Sequence, residues 1–180
     1  MKRKYLLICC FLSLSLIISC AKDANVIPGV DFDEKEFNEQ KAKWQSMKIN
    51  DYCFEYEFAN GTYPSYVKGI VTVSDGTNKV ELECESNPNE DLSESSVYYL
   101  SDINSVFEAV HDAYKKSLEV SKKNSSHIWY KIEYNSEYGF PESVSNSELK
   151  PDNNQKLSNP GESSGDFGLQ INKFEIDVHL

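Results

Sequence analysis

Apolar residues recur with two different periods along this chain, and each period predicts a different kind of element. Residues 33–47 place apolar side chains at helical spacing, which predicts a helix capped by Asp33 that buries Phe37, Trp44 and Met47. Residues 51–59 alternate strictly between apolar and polar. This alternation predicts a half-buried strand whose inner row is Tyr52, Phe54, Tyr56 and Phe58.

Turn dipeptides divide the next part of the chain into two further strands. Asn60-Gly61 and Asp75-Gly76 are typical hairpin turns, and they predict strands over residues 66–74 and 78–85. Three consecutive strands joined by short turns predict an antiparallel meander.

A second helix and a second group of strands follow a polar loop at residues 86–96. Ser101 or Asp102 can cap this helix, whose apolar stripe is Ile103, Val106, Phe107, Val110, Tyr114 and Leu118. Strands are predicted at 127–134, 142–145 and 167–178, with a long loop at 146–166.

The order of these elements predicts the fold class. It reads helix-β-β-β-helix-β-β-β, so strands and helices do not alternate one by one as they do around a parallel sheet. We therefore expect an α+β fold, with an antiparallel sheet of about five to six strands and two helices packed on one face.

The first 19 residues have the composition of a signal peptide. Lys2, Arg3 and Lys4 are followed by an apolar run over residues 5–18, which is too short to span a bilayer as a helix. The run ends in Ile17-Ile18-Ser19-Cys20, which resembles the bacterial lipobox. The resemblance implies cleavage before Cys20 and acylation of its thiol, and an ordinary secretory signal or an uncleaved anchor are the alternatives.

These features predict the organisation of the chain and its location. Residues 1–19 form the signal peptide, residues 20–30 a lipidated tether, and residues 31–180 a single domain outside the cytoplasm. Ala21 follows the lipidated cysteine, and by resemblance to the proteobacterial sorting rule this residue favours the outer membrane. We expect the membrane to be contacted through the lipid.

The charge of the chain excludes several classes of partner. The sequence has 29 Asp and Glu against 18 Lys and Arg, a net charge of -11, which removal of Lys2, Arg3 and Lys4 would take to -14. Nucleic-acid binders need concentrated positive charge, so DNA and RNA are not expected partners. The overall acidity also argues against docking on anionic lipid headgroups through a basic patch.

Two cysteines remain in the mature chain, because Cys9 and Cys10 leave with the signal peptide. The oxidising envelope favours a disulfide between Cys53 and Cys84. Strand parity opposes it, since Cys53 falls on the outer row of its strand and Cys84 shares parity with inward residues. The alternative is a buried Cys84 and a separate Cys53 thiol.

No motif for catalysis, a metal or a cofactor stands out. His111, His127 and His179 are scattered, and no metal-binding spacing or nucleophile elbow is present. We therefore predict no catalytic, metal or cofactor-binding residue. The carboxylates that alternate outward on the strands indicate a solvated acidic face, and a hydrolase using them is the alternative: Glu55, Glu57, Glu81, Glu83 and Glu85.

Several short motifs resemble those of a known family. Trp44, Asp51-Tyr52 with Tyr56, and the run from Ile132 to Pro141 resemble predicted bacterial lipoproteins carrying a domain of unknown function. Members have a Trp helix, a Tyr-x-x-x-Tyr strand and a Tyr-Asp-x-x-x-Gly-Tyr-Pro turn. In that turn this chain has Asn135 in place of the Asp and Phe140 in place of the second Tyr. The resemblance implies an envelope domain without assigned catalysis.

The turn signature is also readable from its residues. Gly139 permits a positive φ, Pro141 fixes φ, and Phe140 between them can pack back on the sheet. A structural turn is expected, with a recognition loop as the alternative. Taken together, we expect a cell-envelope lipoprotein that acts as a non-catalytic binding or inhibitor-like module, with an envelope protein or the cell wall as partner.

Overall fold

A computed structural model of the chain describes residues 27–60, 67–84, 100–149 and 167–176. These ranges contain two helices, α1 (Glu34–Met47) and α2 (Ile103–Asn124). They also contain seven strands: β1 (Gly29–Asp31), β2 (Tyr52–Asn60), β3 (Val67–Ser74), β4 (Thr77–Cys84), β5 (His127–Tyr134), β6 (Pro141–Leu149) and β7 (Phe167–Ile176).

All seven strands form one sheet, in the order β1-β5-β6-β7-β2-β3-β4. Every neighbouring pair is antiparallel except β1 and β5, which are parallel. The predicted α+β class is therefore confirmed, but the described sheet has seven strands instead of five to six. Each helix is followed by a three-stranded meander, and β7 of the second meander pairs with β2 of the first.

β1 corrects the predicted boundary of the tether at residue 30. Gly29, Val30 and Asp31 pair with His127, Ile128 and Trp129 at one edge of the sheet. A three-residue strand is too short to show a hydrophobic period, and its partner lies about a hundred residues away in the sequence. No local sequence pattern therefore predicts it.

β6 corrects the predicted loop at residues 146–166, because the strand continues to Leu149. Asn146 is buried, its side-chain oxygen accepts a hydrogen bond from the Phe167 backbone N–H at 3.2 Å, and its Nδ2 donates to the Tyr130 hydroxyl at 3.5 Å. The polarity of Asn146 predicts a loop, but its side chain can be buried because its hydrogen bonds are made within the protein. Residues 150–166 lie outside the described residues.

Both helices cover the same face of the sheet. Phe37 of α1 lies edge-on to Phe107 of α2, with ring centroids 5.5 Å apart, and Trp44 lies edge-on to Tyr52 of β2 at 5.4 Å. The buried stripes of the helices and the inner row of β2 therefore belong to one core. Met47, predicted to be buried, is instead exposed at the last position of α1, before Lys48 turns left-handed at φ 52°.

The start of α2 is held by side chains from two elements. Asp102 caps the helix, since its carboxylate accepts from the Ser105 N–H at 2.6 Å and the Ser105 hydroxyl accepts from the Asp102 N–H at 3.1 Å. The Tyr52 hydroxyl accepts from the N–H of Ile103 at 3.2 Å. Burial of this phenol raises the pKa of Tyr52 to about 12.

Tyr56, further along the same row of β2, makes a similar contact with the residues just before α2. Its hydroxyl accepts a hydrogen bond from the Leu100 N–H at 3.4 Å. The ring crosses Gly69, its register partner on β3, and a Cβ at Gly69 would overlap the Tyr56 ring atoms. Because Gly69 has no side chain, it leaves the space on β3 that the Tyr56 ring occupies.

Gly69→Ala should destabilise the fold because the added methyl group displaces the Tyr56 ring. We expect the free energy of unfolding to fall by about 1–3 kcal/mol, the usual cost of overpacking. Urea unfolding followed by tryptophan fluorescence measures it. Gly168→Ala is the matched control, because a Cβ there would meet only the Cβ of Ala59 at 3.9 Å. Equal stabilities of the two variants would contradict the predicted overlap.

Candidate functional site

The outer face of the sheet, opposite the helices, carries polar residues from neighbouring strands. Along β2 the residues that alternate with the buried aromatic row are Cys53, Glu55 and Glu57, all half-buried. The same row continues through Lys68, Ile70 and Thr72 on β3, their register partners. The predicted parity of β2 is therefore confirmed, and the carboxylates point away from the core.

Lysines accompany the carboxylates of this face. Glu57 lies 3.9 Å from Lys68, and Lys173 lies 3.9 Å from Glu55 and 3.2 Å from Glu175. At the β4 edge Lys79 contacts Glu81 at 2.7 Å, and this hydrogen bond lowers the pKa of the Glu81 carboxyl. Exposed pairs of this kind add little stability. They give a face on which positive and negative side chains alternate.

Ile70 differs from its neighbours on the outer face. It is 41% exposed, and its register partners on either side are Glu55 of β2 and Glu81 of β4. An exposed isoleucine flanked by ion pairs provides an apolar contact point inside a polar rim.

The two mature cysteines lie on strands that are not neighbours. Cys53 of β2 pairs in register with Thr72, and Cys84 of β4 pairs with Val67, so β3 runs between them. Two strand spacings and five residues of offset separate their Cα atoms by roughly 19 Å. A disulfide needs Cα atoms about 4.4–6.8 Å apart. Cys53 is a free thiol in the structure, and this register argues against the disulfide predicted from the sequence.

The turn between β5 and β6 is built on Asn135. Its backbone N–H donates to the Phe140 carbonyl and its carbonyl accepts from the Gly139 N–H, both at 2.8 Å. Its side-chain oxygen accepts from the N–H groups of Glu137 and Tyr138 at 3.1 and 2.9 Å. Asn135 therefore closes the turn with the same oxygen that an Asp would present, and its amide also donates to Glu142 at 3.2 Å.

This turn is docked on α1. Gly139 has φ 83°, and a Cβ there would lie 2.8 Å from the Gln40 side-chain oxygen. Lys43 donates to the Ser136 carbonyl at 2.8 Å. Phe140 is fully buried between Trp44 and Phe174, at ring-centroid distances of 6.0 and 4.7 Å. Gly139, Phe140 and Pro141 thus form a structural turn, and Pro141 begins β6.

His127 lies where the chain enters the domain, a contact that the sequence did not indicate. Its Nδ1 lies 2.8 Å from the Ile27 carbonyl oxygen, and its Nε2 lies 3.2 Å from the Asp31 carboxylate. Gly29 donates to the Ser126 carbonyl at 3.2 Å and accepts from the Ser121 hydroxyl at 3.1 Å. Each contact joins residues far apart in sequence, so only the assembled fold reveals it.

His111 lies among aromatic rings, with its centroid 5.9 Å from Phe37 and 6.1 Å from Tyr114. It is half-buried beside the apolar stripe of α2. Within the described ranges no three His, Cys, Asp or Glu side chains are placed to hold a metal ion. Among the helices described, none has the length and apolar character needed to cross a membrane. Cys20 and His179 lie outside the described residues.

A family model described as a family of unknown function, DUF6174, matches residues 36–150. The match covers more than half of the 180 residues, so the chain belongs to the DUF6174 family. It runs from the first turn of α1 to just beyond the end of β6 and leaves out β1 and β7. No curated protein and no solved structure matches the chain.

The strand register predicts two free thiols in the oxidised mature protein. Thiol titration in denaturant, without reductant, should find both of these groups reactive, because Cys53 and Cys84 are too far apart to pair. Cys53→Ser should leave one reactive group. Two thiols that become reactive only after reduction would instead show that Cys53 and Cys84 form a disulfide.

Proposed function

We propose that the chain is a lipid-anchored protein of the bacterial cell envelope whose domain binds a partner without catalysing a reaction. We infer the anchoring from the Ile17-Ile18-Ser19-Cys20 motif at the end of an apolar signal region. The first strand begins at Gly29, only nine residues after Cys20. Anchoring through two or three acyl chains is stable where one chain would be marginal.

The non-catalytic part of the proposal rests on the carboxylates of the outer sheet face. Hydrolysis by paired carboxylates requires one of them to stay protonated as a general acid, with a raised pKa. Glu55 and Glu57 each lie within 4 Å of a lysine, and Lys79 lowers the pKa of Glu81. The lowered pKa of Glu81 and the lysines beside Glu55 and Glu57 support a binding surface over the alternative of an envelope hydrolase.

The partner-binding surface is proposed to be the outer sheet face around Ile70. The helices cover the other face, where the aromatic row of β2 is buried. The partner is an envelope protein or a cell-wall component. Ala21 after Cys20 favours the outer membrane as the site of the anchor.

Cys20→Ala should abolish lipid attachment and membrane retention. The acceptor thiol is lost, so we expect no incorporation of labelled palmitate and recovery of the protein in the soluble envelope fraction. Metabolic labelling followed by membrane fractionation measures both. Cys53→Ala is the matched control and should be labelled like the wild type. Palmitate incorporation into the Cys20→Ala protein would refute the anchoring.

A photo-crosslinking residue at position 70 should capture the partner in intact envelopes. Met47 provides the control position, because it is exposed to a similar extent, 37% against 41%, but lies at the end of α1. We expect one discrete crosslinked species from position 70 and none from position 47, identified by mass spectrometry. Equal crosslinking at both positions, or none at position 70, would argue against the outer face as the partner surface.

A further inference from the structure

The end of α2 lies beside the point where the chain enters the domain. β1 runs past the C-terminal half of the helix, with Gly29 bonded to Ser121 and Ser126. Phe32, just after β1, stacks on Tyr114 at a centroid distance of 4.2 Å. Because β1 and α2 run in opposite directions here, Ile27 lies toward the last turn of α2. The side of the domain that receives the tether therefore includes Lys122 and Lys123.

The lysines near this end differ from those of the outer sheet face. Lys68, Lys79, Lys131 and Lys173 each lie within 4 Å of a glutamate. Lys116, Lys122 and Lys123 are exposed, and within the described part of the chain none of them has an ion pair. Their charge is therefore available to an external anion.

Exposed apolar side chains accompany these lysines. Ile27 is 77% exposed at the entry to β1, and Val120 is 36% exposed in the penultimate turn of α2. Lys116, Val120 and Lys123 are spaced four and three residues apart, which places them on one side of the helix, and the exposed Glu119 lies on the same side. We call Ile27, Lys116, Val120, Lys122 and Lys123 the tether-exit surface. Basic and apolar residues together are typical of surfaces that rest on the polar layer of a membrane.

We propose that the tether-exit surface rests against anionic phospholipid headgroups of the membrane that anchors the chain. This rests on the proposed lipid anchor at Cys20. Ile27 is the seventh residue after Cys20, so even a fully extended tether keeps Ile27 within about 25 Å of the Cys20 Cα atom. Both the short connection and the unpaired positive charge turn this end of the domain toward the membrane.

The helix dipole alone accounts for only part of this pattern. It favours cations in the last turn of a helix, where Lys122 and Lys123 lie, and its effect fades within that turn. Lys116 lies two turns earlier, and the dipole does not explain why Ile27 and Val120 are exposed. The net charge of -11, or -14 without Lys2, Arg3 and Lys4, argues against attraction of the whole chain to anionic lipid, but it does not exclude a local basic surface held close by a tether.

Lysine labelling in vesicles tests the proposal. The full chain, processed in bacteria and purified in detergent, is reconstituted into phosphatidylcholine vesicles with and without phosphatidylglycerol, and flotation reports anchoring. An amine reagent read by mass spectrometry should modify Lys122 and Lys123 at least threefold more slowly on the anionic vesicles, since each lysine near such a surface is favoured roughly fivefold. High salt should remove the difference.

Lys79 is the internal control, because β4 forms the opposite edge of the sheet from β1. Its labelling should be the same on both kinds of vesicle. Lys122→Glu combined with Lys123→Glu should restore fast labelling of Lys116 on anionic vesicles, whereas Lys79→Glu should not. Both changes are at exposed positions, and urea unfolding checks that the fold is retained.

The outcomes separate the anchor from the surface. A chain that does not float lacks the lipid, and then both the proposed function and this inference fail. A chain that floats but labels Lys122 and Lys123 equally on both vesicles keeps its anchor and overturns the inference alone. Protection by a soluble polyanion, without protection by anionic vesicles, would assign the surface to an acidic polymer and also overturn it.

Discussion

The fold depends on the contact between the aromatic row of β2 and the start of α2. The Tyr52 hydroxyl accepts a hydrogen bond from the N–H of Ile103, which as the first residue of α2 has no partner within the helix. The Tyr56 hydroxyl accepts one from the N–H of Leu100, just before the helix. Each tyrosine thereby contributes a large apolar ring to the core and satisfies a buried donor at its far end. The row fixes where α2 begins on the sheet, and Gly69 provides the space for one of its rings.

The remaining packing is organised around this contact. Trp44 of α1 meets Tyr52 from the other side and also contacts Phe140 and Phe174, so the first helix, the β5–β6 turn and β7 converge on one indole ring. Asn135 gives the turn a fixed shape through hydrogen bonds to its own backbone. The motifs that resemble the family are therefore accounted for by packing. The outer sheet face and the tether-exit surface, where binding is proposed, are not part of the core.

Residues with a strong local period were predicted well from the sequence. The strand at His127–Tyr134, the helix capped by Asp33 and the meander after it all follow from periods of two or 3.6 and from turn residues. β1 was missed because three residues have no period, and Asn146 because its burial depends on Tyr130 and Phe167. Of the tether-exit surface, only the position of Ile27 could not be predicted, since it depends on the pairing of β1 with β5; Lys116, Val120, Lys122 and Lys123 lie on one helix. The lipid site at Cys20 comes from sequence alone and stays a prediction.

The pairing of β1 with β5 also determines how the molecule responds to tension. A force applied to residues before Ile27 reaches β1 before any other element. That strand is held by three residue pairs, by His127 and by the Ser121 and Ser126 contacts, none of which belongs to the aromatic row of β2. Release of residues 27–31 would add about 17 Å of extended chain while Phe32 kept its contacts with Phe37 and Tyr114 and the core stayed folded. The short first strand therefore sets how much extended chain such a force can release before the core unfolds.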